Sequence, residues 1–234
     1  FPQPSMRILS ICLLLLLPTM LTAQEGRTVK CRLAVLNANV LPPAMLAASG
    51  EGAEISVNVP NGSISEESVF FSKTNTFSFL SATDRTPAAN ATIPVGVGAA
   101  ILLFVAAPQT PGALPWRVFV IEDSAKIFPD GGAFVANFHN QEIRFVIGEN
   151  KLVLRPGGSQ GVSRPKERDD FNMAAVVFQF QLSDIWRNAS ESMLRFLPGS
   201  RYLMFAFVDS ESGRPRVVTF QDFKKSAAPI AGQP

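Results

Sequence analysis

The sequence predicts an all-β fold in which two antiparallel β-sandwich lobes of immunoglobulin-like or Greek-key type follow one another. Apolar residues recur with period two in many short runs, the mark of strands whose two faces see different surroundings. Clusters of Gly, Pro, Asn and Asp, residues that supply positive φ or preset a turn, separate those runs. A soft boundary near Ser124 gives each half about six strands in roughly 100 residues, an ordinary size for a β-sandwich. The expected lobes are therefore residues 27–123 and 124–222. Trp116 to Ile121 can pair with either half, so a single larger β domain is the alternative reading.

The first residues predict export. Met6-Arg7 precedes an apolar run centred on Ile8 to Leu17, and Thr22-Ala23 offers a small-residue end. That is the charged start, apolar core and cleavage region of a signal peptide spanning residues 1–23, with residues 1–5 as an upstream extension before Met6. The run is short of the ~20 residues that span a bilayer, so no stable membrane span is expected after cleavage. The expected localisation is periplasmic or extracellular.

After the leader, Arg27 to Asn37 alternates cleanly and stops before Pro42-Pro43, where two prolines forbid continued pairing. Met45 to Gly52 reads as a loop or a single helical turn. Glu54 to Val59 alternates again, and Ser68 to Phe71 and Thr76 to Leu80 follow with a hairpin turn at Ser72 to Asn75. Ser81 to Asn90 reads as a polar loop. Val95 to Ala107 is almost wholly apolar but only 13 residues long, which suits a strand buried on both faces better than a membrane span. Gln109 to Pro115 is a Pro/Gly linker, and Trp116 to Ile121 a further strand.

Phe128 to Gly158 is the most legible stretch. Phe134, Ala136 and Phe138 share a face, as do Ile143, Phe145 and Ile147, and then Leu152 and Leu154. Their short connections, His139-Asn140-Gln141 and Gly148-Glu149-Asn150, predict a three-stranded antiparallel meander. The mixed charges of Ser163 to Asp170 read as a solvated loop. Phe171 to Leu182 is a long strand, and Ser183 to Ser192 either its continuation or a bend. Ser200 to Val208 is apolar on both faces, Pro215 to Gln221 returns beside it, and residues 223–234 are expected to be a disordered tail.

Composition excludes several functions. Hydrophobic residues make up 47% and charged ones 17% of the 234 residues, which describes a globular chain. Nineteen Phe stand against two Trp and one Tyr, an aromatic set suited to core filling more than to a sugar or peptide platform. Loss of Arg7 with the leader leaves 20 basic residues against 19 acidic, without the clustered excess that nucleic acid demands. Cys12 would leave with the leader, so Cys31 is the one remaining thiol and no intramolecular disulfide can form. Cys31 alternates with Val29, Leu33 and Val35 and is expected to point inward as a small hydrophobe.

No catalytic, cofactor-binding or metal-binding residues are predicted. His139 is the only histidine, sits in a turn, and has no Gly-x-Ser-x-Gly elbow to accompany it. Glu66-Glu67, Asp123, Asp169-Asp170 and Asp184 are the carboxylates that a fold might pair for glycoside hydrolysis. Asp130-Gly131-Gly132 lacks the further acids of a calcium loop. Asn61, Asn90 and Asn188 head glycosylation triplets, which matter only in a eukaryotic source. Trp116 and Trp186 suggest either a stacking surface for a sugar or core aromatics.

Trp116-Arg117-Val118, Phe128-Pro129-Asp130-Gly131, Asn137, Ile147-Gly148, Leu154-Arg155-Pro156-Gly157 and Arg214-Pro215-Arg216-Val217 together resemble a group of uncharacterised exported β-sandwich proteins of environmental bacteria. The resemblance covers mainly residues 116–221. It implies an envelope or exterior setting and lends no site residues. The expected function is a non-enzymatic exported protein acting as a binding or structural module at the bacterial cell envelope. Its expected partner is an envelope protein or a polysaccharide, and no cofactor is expected. The alternative is an exported carbohydrate-active enzyme working through a carboxylate pair.

Overall fold

A computed structural model describes residues 26–37, 39–209 and 212–223. The expected signal peptide, its upstream extension and the expected tail beyond Phe223 lie outside the described residues. Among the described residues the protein is all-β, with sixteen strands in three sheets.

The first eight strands are β1 (Arg27–Val35), β2 (Met45–Gly50), β3 (Ala53–Val57), β4 (Ser68–Ser72), β5 (Thr76–Ser81), β6 (Pro87–Thr92), β7 (Ala99–Ala106) and β8 (Trp116–Glu122). They form one sheet in the order β3-β2-β5-β6-β8-β7-β1-β4, mixed because β1 runs parallel to β7 and β6 to β8. This sheet curls into a half-barrel, with register shifts in the β2–β3 and β5–β6 ladders that bend it. Its concave side is filled by Val29, Cys31, Leu33, Phe77, Leu102 and their neighbours. Phe70, Phe79 and Phe104 meet edge to face across the hollow, with 5.4 Å between successive ring centroids.

The remaining strands are β9 (Ala133–Asn137), β10 (Ile143–Ile147), β11 (Asn150–Leu154), β12 (Ser159–Val162), β13 (Met173–Leu182), β14 (Ile185–Arg195), β15 (Ser200–Val208) and β16 (Pro215–Phe223). They form two four-stranded sheets: an outer one, β11-β10-β13-β14, and a middle one, β12-β9-β15-β16. Val135, Met204 and Ala206 of the middle sheet share a core with Ile143, Phe145 and Phe178 of the outer sheet. The opposite face of the middle sheet, with Phe134, Leu203, Phe205 and Phe220, packs on Ala34, Ile101, Leu103 and Ile121 from the convex side of the curled sheet. β9 and β15 are therefore buried on both faces, and they pair in parallel, as two-sided burial favours.

Several expectations are corrected. Residues 133–154 are three strands but not one meander, because β9 belongs to the middle sheet and only β10 and β11 form a hairpin. Period-two alternation reads the same whether the chain turns back in its own sheet or crosses to the facing one. Asn137 makes the crossing: its amide donates to the Gln141 and Leu154 carbonyls at 2.8 and 3.0 Å, while its Oδ1 accepts the His139 N–H at 2.8 Å. β4 and β5 do not pair across Ser72 to Asn75, since β4 lies against β1 and β5 between β2 and β6. Met45 to Gly50 and Pro87 to Thr92 are strands instead of loops. Their Ala, Gly and Pro carry weak strand preference, and neighbouring strands impose the conformation. The stretch after Leu182 turns on Ser183 and Asp184, both with positive φ, and returns as β14. Phe223, expected in the tail, closes β16 opposite Ser200. The first half is a single curled sheet where two stacked sheets were expected.

Candidate functional site

The interface between the convex side of the curled sheet and the middle sheet has two very different ends. Strand parity fixes what each offers. On β8, Phe119 and Ile121 belong to the interface core, which places Arg117 and Asp123 on the same face at opposite ends. The same parity puts Arg32 beside Ala34 and Leu36 on β1, Arg201 beside Leu203, Phe205 and Phe207 on β15, and Asp222 beside Phe220 on β16.

At one end these charges close on each other. Arg32 donates to Asp222 Oδ1 at 2.5 Å and Oδ2 at 3.0 Å, and to Asp123 Oδ2 at 2.7 Å. Arg201 donates to Asp222 Oδ2 through Nε at 3.2 Å and Nη2 at 2.5 Å, and its Nη1 lies 3.0 Å from Asp123 Oδ1. The Arg201 guanidinium also covers the Phe128 ring, 3.9 Å from its centroid. Side-chain exposure is only 4% for Arg201 and 5% for Asp222, and 17% for both Arg32 and Asp123. Burial pushes the Asp222 carboxyl upward, but the hydrogen bonds and charges of Arg32 and Arg201 outweigh it and hold the group below the ordinary aspartate range. Burial likewise opposes the Arg32 charge, and Asp222 and Asp123 reverse the effect and raise its pKa. Two positive and two negative groups thus form a neutral, mutually saturated quartet that clamps the two sheets.

At the other end the sheets splay and leave a groove of about 550 Å³. Leu36, Val105 and Phe119 on the convex side of the curled sheet line it opposite Phe138 and Phe207. A second hollow under the 107–115 loop has Val40, Ala106 and Trp116 in common with the first. Pockets for small organic ligands are of this size and are mainly apolar with a few polar groups. Among the described residues Arg117 is the one charged residue in either lining.

The residues singled out in the sequence fall apart in space. Asp123 alone joins a carboxylate partner, Asp222, through the two shared arginines. Glu67 pairs with Lys30 at 3.1 Å on the surface, Asp169 Oδ1 accepts the Phe171 and Met173 N–H groups in a turn, and Asp184 forms the β13–β14 turn. Glu66 and Asp170 are exposed. Asp130 accepts the Gly199 N–H at 3.1 Å, which fixes a loop. His139 is buried; burial pulls its pKa down, and Nδ1 accepts the Gln141 N–H at 3.0 Å. Burial pushes the Cys31 thiol up to about 12, too high for a nucleophile at neutral pH. Asn61, Asn90 and Asn188 are all exposed.

The tryptophans do not form a common surface. Trp116 is buried, 6% exposed, at the base of the two hollows. Trp186 lies half-buried on the outer sheet with the Arg144 guanidinium 4.5 Å from its centroid, so an indole face is already covered. Arg144 also donates to Gln179, whose amide donates to Asn188 at 2.7 Å. These groups satisfy one another. Among the described residues no three His, Cys, Asp or Glu side chains group to hold a metal, and no helix is long and apolar enough to cross a membrane.

Compared with models of known families and with curated proteins, the chain matches none.

Proposed function

We propose that this is an exported, non-enzymatic binding module of the bacterial cell envelope, and that it holds an apolar ligand in the groove beside Trp116. The observation that carries the reading is the groove, a hollow of about 550 Å³ with aliphatic and aromatic walls between two of the three sheets. The export half rests on the leader-like composition of residues 1–23 and on the resemblance to exported β-sandwich proteins. The two facing sheets of the second half suit a sandwich-like scaffold of that kind. The lining side chains are mainly aliphatic and aromatic, with few polar groups among them, which favours an apolar ligand over the polysaccharide or envelope protein expected from sequence.

The glycosidase alternative is weaker. Its one close carboxylate pair, Asp123 with Asp222, is saturated by two guanidinium groups, and the depressed Asp222 carboxyl carries no proton to donate near neutral pH. Titration of the full chain with N-phenyl-1-naphthylamine, a neutral apolar fluorophore, tests the binding half. Saturable binding near one per chain is expected, and Val105→Trp, which adds bulk on the groove side of β7, should abolish it without lowering the unfolding temperature. Binding that survives Val105→Trp, or no saturable binding at all, would overturn the reading. For export, fractionation of the native cells should place the protein outside the cytoplasm.

A further inference from the structure

Building on the groove as a binding site, we propose that its ligand is a single-chain amphiphile with a carboxylate head, a free fatty carboxylate, whose head is held by Arg117. The seam face of β8 reads Arg117, Phe119, Ile121, Asp123 from the open end to the closed end. The fold supplies Asp123 with two arginines and, among the described residues, supplies Arg117 with no anion. Its cross-strand neighbours are Val105 on β7 and Asn90 on β6, neither of them acidic. Among the described residues the Arg117 side chain makes no hydrogen bond or ion pair, and it is exposed in a hollow whose other lining residues are, Asn37 excepted, apolar. The other nearby cation, Arg216, is already paired with Asp209 at 2.9 Å.

An apolar hollow with one unpartnered guanidinium at its mouth is complementary to an apolar chain ending in one anion. A guanidinium meets a carboxylate through two parallel N–H···O bonds, a match that one arginine completes alone. A groove of about 550 Å³ takes a single apolar chain, whose tail would lie between Leu36, Val105 and Phe119 on one side and Phe138 and Phe207 on the other.

Displacement of bound N-phenyl-1-naphthylamine by dodecanoate, 1-dodecanol and dodecyltrimethylammonium, each below its aggregation threshold, tests this on the full chain. Dodecanoate should displace the probe at least tenfold more tightly than 1-dodecanol, with the cation weakest. Arg117→Gln should erase the dodecanoate advantage over 1-dodecanol, and an unchanged urea-unfolding midpoint establishes that the variant is folded. Equal displacement by the acid and the alcohol, or an advantage that persists in Arg117→Gln, overturns the carboxylate assignment and leaves the groove standing. No probe binding by the unaltered chain removes the groove and this inference together.

Discussion

Along one seam the protein treats charge in opposite ways. At the closed end four ionised groups are taken out of water and every one has an opposite charge within 3.0 Å, whereas at the open end one guanidinium stands beside apolar walls with no partner among the described residues. The closed end is a structural device, because desolvated charges survive only when each is fully paired. The open end leaves its arginine exposed, since an unpaired guanidinium is tolerated only while water or a ligand reaches it. One strand, β8, contributes to both, with Asp123 at one end and Arg117 at the other.

The largest test of this contrast is to break the quartet. Arg201→Met or Asp222→Asn leaves buried charge without its counterpart, and each should cost about 3–5 kcal/mol in urea unfolding. A loss under about 1 kcal/mol would mean that the closed end is wet and the contrast false. The pH dependence sharpens it. The folded-state pKa of Asp222 lies below its unfolded value, so the unfolded chain takes up its proton first as the solution is acidified. Its contribution is complete above about pH 4 and is lost as pH falls through the folded value. The stability gap between the unaltered chain and Asp222→Asn should therefore narrow below about pH 4 and stay constant from about pH 5 to 7.

These charges also mark how far the sequence could be read. Strands such as 27–35, 143–147 and 200–208 were legible because alternation and apolar runs are local signals. The pairing of β9 with β15 was not, because it joins residues far apart in sequence and replaces the hairpin that a short turn suggests. In the sequence Asp123 is one acid among several. Its partners carry a partial signal: Arg32, Arg201 and Asp222 each share a strand face with apolar neighbours, but so does Arg117, so parity places a charge at the seam without separating a buried pair from a rim charge. The groove had no such signal. It exists because two sheets diverge, a property of tertiary geometry that no single stretch encodes.

A smaller effect compares two phenylalanines on the same face of β15. Phe205 is fully buried in the closed part of the seam, against Phe138 and Phe220, while Phe207 lines the groove and is only half-buried. Phe205→Ala should cost about 3–5 kcal/mol, and Phe207→Ala no more than about 1 kcal/mol, because part of the Phe207 ring is already in water. Equal losses in denaturant unfolding would show that the seam is packed evenly along its length and that the groove is closed in solution.

The smallest expected effect is the most discriminating, because it sets one arginine of the seam against another. Arg117→Gln should change stability by no more than about 0.5 kcal/mol, the ordinary range for a surface substitution away from packed or paired groups. Arg201 sits on the same interface and should cost several times more, so the difference measures partnering and not the residue type. If Arg117→Gln instead destabilised the chain as Arg201→Met does, the guanidinium would be holding the fold together. The open end would then be a second clamp, and its charge could not be reserved for a ligand. If the variant proved more stable than the unaltered chain, the unpartnered charge would carry a cost in the empty groove, as expected of a binding group that waits for its anion.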